Sequence, residues 1–192
     1  MKNMSVIALA ATLALFSFNT IPPSTWKLDA AHSKLGFSIT HLSVSEVEGS
    51  FKKVDATIVA TKDDFSDAKV TMTADVNSID TDNEDRDAHL KKPDFFDAEK
   101  YPTITFESTS FKKTGEKTYK VKGNLTLHGV TKPVELDAKV NIGTNPMSKK
   151  TIAGFKITGT IKRTDFGISK DTPSVMLSDE VAIEANIEFA KD

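Results

Sequence analysis

The sequence has 192 residues, of which 27% are charged, and a formal net charge of −2 at pH 7. This length predicts one domain with a sizeable core, and the balanced charge argues against binding of nucleic acid. There is no cysteine, which excludes disulfides, thiol nucleophiles, thiolate metal sites and an acylated cysteine anchor.

The N-terminal segment has the outline of a secretory signal peptide. Lys2 precedes an apolar run over residues 4–18. We assign residues 1–19 to the signal and residues 25–192 to the mature domain; a weak cleavage pattern leaves the cut site open and an uncleaved anchor as the minority alternative. Because the run is shorter than the roughly 20 apolar residues of a membrane span, we predict no integral span and a periplasmic or secreted protein.

The mature part alternates between apolar and polar residues with a period of two, which is typical of strands that are apolar on one face. In the last strand, Ile183 and Ile187 point one way while Glu184 and Glu188 point the other. About eight such strands follow one another, joined mainly by short polar turns that favour antiparallel neighbours. We therefore predict an all-β fold, a single antiparallel β-barrel that could hold one small ligand.

Two connections are long, residues 77–102 and residues 165–179. The first, which we call the lid segment, predicts a short helix and loop inserted at about residues 80–100, with Asp82 as its cap and Asp87 able to pair with Lys91. Acidic residues stand in its first turn and basic residues in its last: Glu84, Asp85, Lys91 and Lys92.

Small residues alternate with large ones on the inward faces of the predicted strands. They are Ala74, Gly123, Ala138, Gly159 and Ala185. This pattern favours a hollow barrel, although small residues also suit close packing at barrel corners. Both interpretations remain open at this point.

Three motifs point to a known family. The first motif, in the lid segment, consists of Glu84, Arg86-Asp87, His89-Leu90, residues 94–96 and Tyr101-Pro102. The second is residues 125–134, and the third is residues 163–167. One acidic residue, Asp85, between Glu84 and Arg86 is a minor departure. With these motifs the chain resembles the YceI-like family of exported, lipocalin-like, polyisoprenoid-binding proteins from about Trp26 to the last strand. The resemblance implies an extended lipocalin-like barrel whose apolar channel holds an isoprenoid or an isoprenoid quinone, with no other cofactor.

Strand alternation then selects the residues that we expect to line the channel. They are Phe37, Ile39, Met72, Phe106, Val121, Leu125, Leu136, Phe155, Ile157 and Ile183. A register error of one residue would exchange the two faces. At the mouth of the channel, or in contact with a ligand head group, we expect Arg86, His89, Phe95, Phe96, Arg163 and Phe166.

Arg86 and Arg163 are the two arginines of the chain. A guanidinium suits a phosphate or a carboxylate, so each could contact a head group or pair with a nearby aspartate. The histidines show no spacing typical of a metal site, and no catalytic motif is present.

We predict non-enzymatic binding, carriage or storage of a long apolar lipid; a homodimer is compatible with the sequence. Two alternatives remain open. One is an enzyme that acts on a lipid or small molecule through Arg86, His89 and nearby carboxylates. The other is a ligand-free stress or interaction protein.

Overall fold

The computed structural model describes residues 22–192, so the predicted signal at residues 1–19 lies outside the described residues. Within the described part, no helix is long and apolar enough to span a bilayer. The strands are β1 (Ser24–His41), β2 (Ser45–Phe51), β3 (Val54–Ala60), β4 (Lys69–Asp75), β5 (Ile79–Asp80), β6 (Thr103–Lys113), β7 (Thr118–Leu127), β8 (Val130–Thr144), β9 (Thr151–Lys162) and β10 (Leu177–Lys191). The helices are α1 (Glu84–Leu90) and two 3-10 turns, Val76–Ser78 and Arg163–Phe166.

The strands form one antiparallel sheet that closes into a barrel because β1 pairs with β10. The closed ring contains eight strands, in the order β1, β3, β4, β6, β7, β8, β9 and β10. Strands β2 and β3 are the two parts of one interrupted strand, since both pair with β1, and β5 continues β4 alongside β2. The predicted antiparallel barrel of about eight strands, with a short helix and loop insertion, is confirmed.

One end of the barrel is filled by aromatic side chains. Phe65, in the turn between β3 and β4, is fully buried, and its ring centroid lies 4.9 Å from that of Trp26 and 5.3 Å from that of Phe155. Further ring contacts complete a set that we call the aromatic plug: Trp26, Phe65, Phe111, Tyr119, Phe155 and Phe189. All six are buried. Phe65 lies in one of the short polar turns that the sequence predicts between strands, and alternation does not predict its burial.

Tyr119 ties the plug to the turn that carries Phe65. Its hydroxyl donates to the carbonyl oxygen of Asp64 at 2.6 Å, and burial raises the pKa of the phenol. We expect Tyr119→Phe to lower the free energy of unfolding by about 1 kcal/mol, because that carbonyl loses its donor while the ring remains in place. Urea unfolding measures the loss. An unchanged midpoint would contradict the prediction.

The lid segment covers the opposite end, which we call the mouth. Its helix is capped by Asn83, whose side-chain oxygen accepts from the backbone N–H of Arg86 at 2.9 Å. Predicting Asp82 as the cap was wrong, because Asp82 has a φ of 59°, whereas an N-cap needs the extended backbone that Asn83 adopts. The helix ends at Leu90, so Lys91 and Lys92 do not form its last turn as predicted.

Candidate functional site

The barrel encloses a cavity of about 440 Å³ between the aromatic plug and the lid segment. Along β10 its lining extends from Leu177 to Phe189. At about 3.3 Å per residue and a strand tilt of about 40°, that stretch spans about 30 Å along the barrel axis. The cavity is therefore long and narrow, and its volume lies in the range of small-molecule sites.

All ten residues that alternation selected for a channel border this cavity: Phe37, Ile39, Met72, Phe106, Val121, Leu125, Leu136, Phe155, Ile157 and Ile183. Sequence reasoning missed several others. His41 continues the alternation of Phe37 and Ile39, so that signal was available, whereas Thr81 lies outside any alternating run. Among the described residues, polar side chains border the cavity at the mouth alone. They are His41, Thr81, Arg86, His89 and Arg163.

Two of the small inward residues make room for large neighbours. A Cβ at Gly123 would overlap the ring of Phe106, and one at Gly159 would overlap Leu136. The cavity shows that the barrel is hollow. At Gly123 and Gly159, however, the absence of a side chain allows close packing across strands.

Arg163 is buried and gives its guanidinium to backbone carbonyls. Its Nε donates to Ser178, and its two terminal nitrogens donate to four further carbonyl oxygens, those of Ile168, Ser169, Thr172 and Leu177. A guanidinium has five N–H groups. All are used, so Arg163 borders the cavity but has no donor left for a head group. Its partners are carbonyls rather than the aspartate that the sequence suggested.

Arg86 is held at the edge of the cavity by Thr81. Its Nε donates to the Thr81 hydroxyl at 2.8 Å and its Nη2 to the Thr81 carbonyl at 2.6 Å. Asp87 accepts from the backbone N–H and the hydroxyl of the same threonine, which replaces the predicted pair with Lys91. Because two N–H groups of Arg86 are used among the described residues, three remain for a ligand.

The other residues predicted for the mouth are divided between the cavity and the surrounding structure. His89 lies 2.9 Å from Asp94 through its Nε2 and packs edge-on against Phe95, with 5.0 Å between ring centroids. Phe96 packs edge-on against Phe51 at 5.8 Å. His89, Phe95 and Phe96 all border the cavity, whereas Phe166 is fully buried away from it.

Residues from all three sequence motifs contact one another beside the mouth. The ring of His128 lies edge-on to Tyr101, with centroids 5.0 Å apart, and its Nδ1 lies 3.0 Å from the carbonyl oxygen of Phe166. Gly129 has a φ of 72°, and a Cβ there would overlap the Tyr101 ring. These residues form a structural corner, so the motifs mark the closure of the barrel as well as its cavity.

One surface group of the described residues could bind a metal ion: Asp29, His32 and Glu188. The spacing of the histidines indicated no metal site. It does not reveal this group, because Glu188 is distant in sequence and lies next to Asp29 and His32 only through the pairing of β10 with β1. His32 bonds Asp29 at 3.0 Å, which raises the pKa of His32 and lowers that of Asp29. None of the three borders the cavity.

Comparison with known proteins settles the relationship. The YceI-like domain matches residues 26–189. The chain belongs to the YceI-like family. This YceI-like chain is 40% identical over 172 residues to a UPF0312 protein from Staphylococcus aureus (strain N315), across 87% of this chain and 98% of that protein. The resemblance seen in the motifs is confirmed.

Solved structures of YceI-like proteins share the barrel. The Campylobacter jejuni YCEI protein is 35% identical with a TM-score of 0.73, over 80% of this chain and 90% of that one. Burkholderia cenocepacia BcnA is 28% identical with a TM-score of 0.72, over 84% and 98%. A polyisoprenoid binding domain from Saccharophagus degradans, implicated in plant cell wall breakdown, has a TM-score of 0.65 over 87% and 98%. At 17% identity, that likeness concerns the fold alone.

Proposed function

We propose that this YceI-like protein binds a long apolar lipid, an isoprenoid or isoprenoid quinone, and carries or stores it without changing it chemically. The observation that carries the proposal is the cavity of about 440 Å³, which is apolar along its length and polar at one end. Each buried methylene contributes about 0.8 kcal/mol, whereas one neutral hydrogen bond contributes about 0.5–1.5 kcal/mol net. Affinity therefore comes from the length of the tail.

Arg86 is the residue best placed to orient the polar end of such a lipid. It borders the cavity, it is held by two bonds to Thr81, and three of its N–H groups have no partner among residues 22–192. A quinone oxygen or a phosphate could accept from them. His89 borders the same region, although Asp94 engages its Nε2. Membership of the YceI-like family, for which the motif resemblance implies an isoprenoid ligand, supports this ligand class, and the signal predicted at residues 1–19 supports export.

Purification from the native host, followed by native mass spectrometry and organic extraction, tests the proposal. We expect one unchanged isoprenoid per barrel. A barrel recovered empty would contradict lipid binding and favour the ligand-free alternative. A lipid converted during incubation with the protein would favour the enzyme alternative, in which Arg86, His89 and nearby carboxylates take part.

Blocking the cavity is expected to abolish lipid recovery. Met72 faces the cavity from β4, so Met72→Trp places an indole in the space that a tail would occupy. The matched control is Thr73→Trp, since Thr73 is the next residue of the same strand and is exposed. Extraction of both variants is compared with the wild type, and circular dichroism checks the fold. Lipid retained in full by a folded Met72→Trp protein would contradict the assignment of the cavity.

A further inference from the structure

Four large apolar side chains are exposed at the mouth. Leu42 and Val44 lie in the turn between β1 and β2, and Val175 and Met176 precede β10; their exposed fractions are 52%, 86%, 66% and 51%. The two loops are joined, because the backbone N–H of Leu42 donates to the Met176 carbonyl at 2.9 Å and the Ser43 hydroxyl donates to the Val175 carbonyl at 3.3 Å. The four side chains therefore belong to one surface, which we call the apolar rim.

The apolar rim is continuous with the cavity. His41 precedes Leu42 and Leu177 follows Met176, and these two flanking residues pair across β1 and β10 and both border the cavity. His41 is also exposed. The lining of the cavity thus reaches the base of the rim, and a lipid that leaves at this end passes the rim first.

The chemistry of the rim fits a lipid surface better than a protein partner. Residues 42–45 and 172–178 contain no charged side chain and no tryptophan, tyrosine or arginine, the last three being the types that dominate protein interfaces. Aliphatic side chains in two uncharged stretches instead suit shallow insertion among acyl chains.

The backbone of the rim also suits an apolar environment. The N–H groups of Leu42, Val44 and Met176 donate to the carbonyls of Met176, His41 and Pro173, respectively. A backbone N–H that enters lipid without a partner is costly. At these three positions insertion leaves no N–H unpaired.

We propose that the apolar rim docks on a lipid bilayer and inserts its side chains among the acyl chains, so that a lipid moves between membrane and cavity without crossing water. This inference builds on the proposed lipid binding and adds where the lipid is exchanged. Because residues 42–45 and 172–178 carry no charge, docking should depend little on anionic lipid or on salt.

The test is flotation with phosphatidylcholine vesicles, using protein as purified from its host. We compare the wild type with the double variant Val44→Ser/Val175→Ser, which changes the two most exposed rim residues, neither of which borders the cavity. The matched control is Ile142→Ser/Met147→Ser, two residues 53% and 89% exposed at the opposite end of the barrel. We expect the rim variant to bind vesicles at least about tenfold more weakly and the control to bind like the wild type.

Lipid extraction from the same samples separates this inference from the proposed function. A rim variant that keeps its extracted lipid but loses vesicle binding supports docking. Equal vesicle binding by the rim variant and the wild type overturns it, as does wild-type binding that disappears at high salt. A wild-type dimer that the rim substitutions convert to a monomer, with no vesicle binding, also overturns it. Absence of lipid from the wild type instead counts against the proposed function.

Discussion

Replacing Arg163 with methionine is expected to lower the free energy of unfolding by at least about 3 kcal/mol. The side chain is buried and makes five hydrogen bonds to carbonyls. A single hydrogen bond from a charged donor contributes roughly 1.5–3 kcal/mol, and five bonds made by one guanidinium contribute less than five times that amount. Methionine fills much of the volume but satisfies no carbonyl. Urea unfolding followed by circular dichroism measures the change.

The neighbouring Lys162 provides the control. Lys162 is exposed, so Lys162→Met removes one positive charge nearby without touching the carbonyls. We expect that variant to stay within about 0.5 kcal/mol of the wild type. Arg163→Lys should lower the free energy of unfolding almost as much as Arg163→Met, because an ammonium cannot reproduce a planar fork with five donors. A stable Arg163→Lys protein would mean that a positive charge alone stabilises residues 168–178, whose carbonyls surround Arg163.

Phe65→Ala is expected to lower the free energy of unfolding by about 3–5 kcal/mol. The ring is fully buried in contact with Trp26 and Phe155, and its removal leaves a cavity where the plug now closes the barrel. Phe65→Leu should cost less because it keeps most of the packing. Unfolding of both variants measures the difference, and an alanine variant within about 1 kcal/mol of the wild type would show that the plug repacks without this ring.

The cavity wall could be predicted from sequence because strand geometry is regular. Alternate residues face the same side, so runs such as the one through Val121 and Leu125 identify the inner face without knowledge of the partners. The helix of the lid segment could be located from the acidic residues of its first turn, but its N-cap could not. Asp82 and Asn83 both have side chains that can cap, and only the backbone conformation distinguishes them.

Contacts between distant segments could not be predicted. The carbonyls around Arg163 leave no trace in the sequence, since every residue has one, and the conventional expectation was a carboxylate. Phe65 stands alone among polar residues, so no periodic pattern indicates that its ring enters the barrel. The exposed rim residues also fall in connections between strands, where alternation has no meaning.

The aromatic plug makes the two ends of the barrel different. Because Phe65 and its neighbours close one end, a bound lipid would enter tail first and come to rest with its polar end near Arg86. It would leave in the reverse sense, polar end leading. A membrane or enzyme that receives the cargo would therefore meet the head group before any of the hydrocarbon, and recognition of that group could precede release.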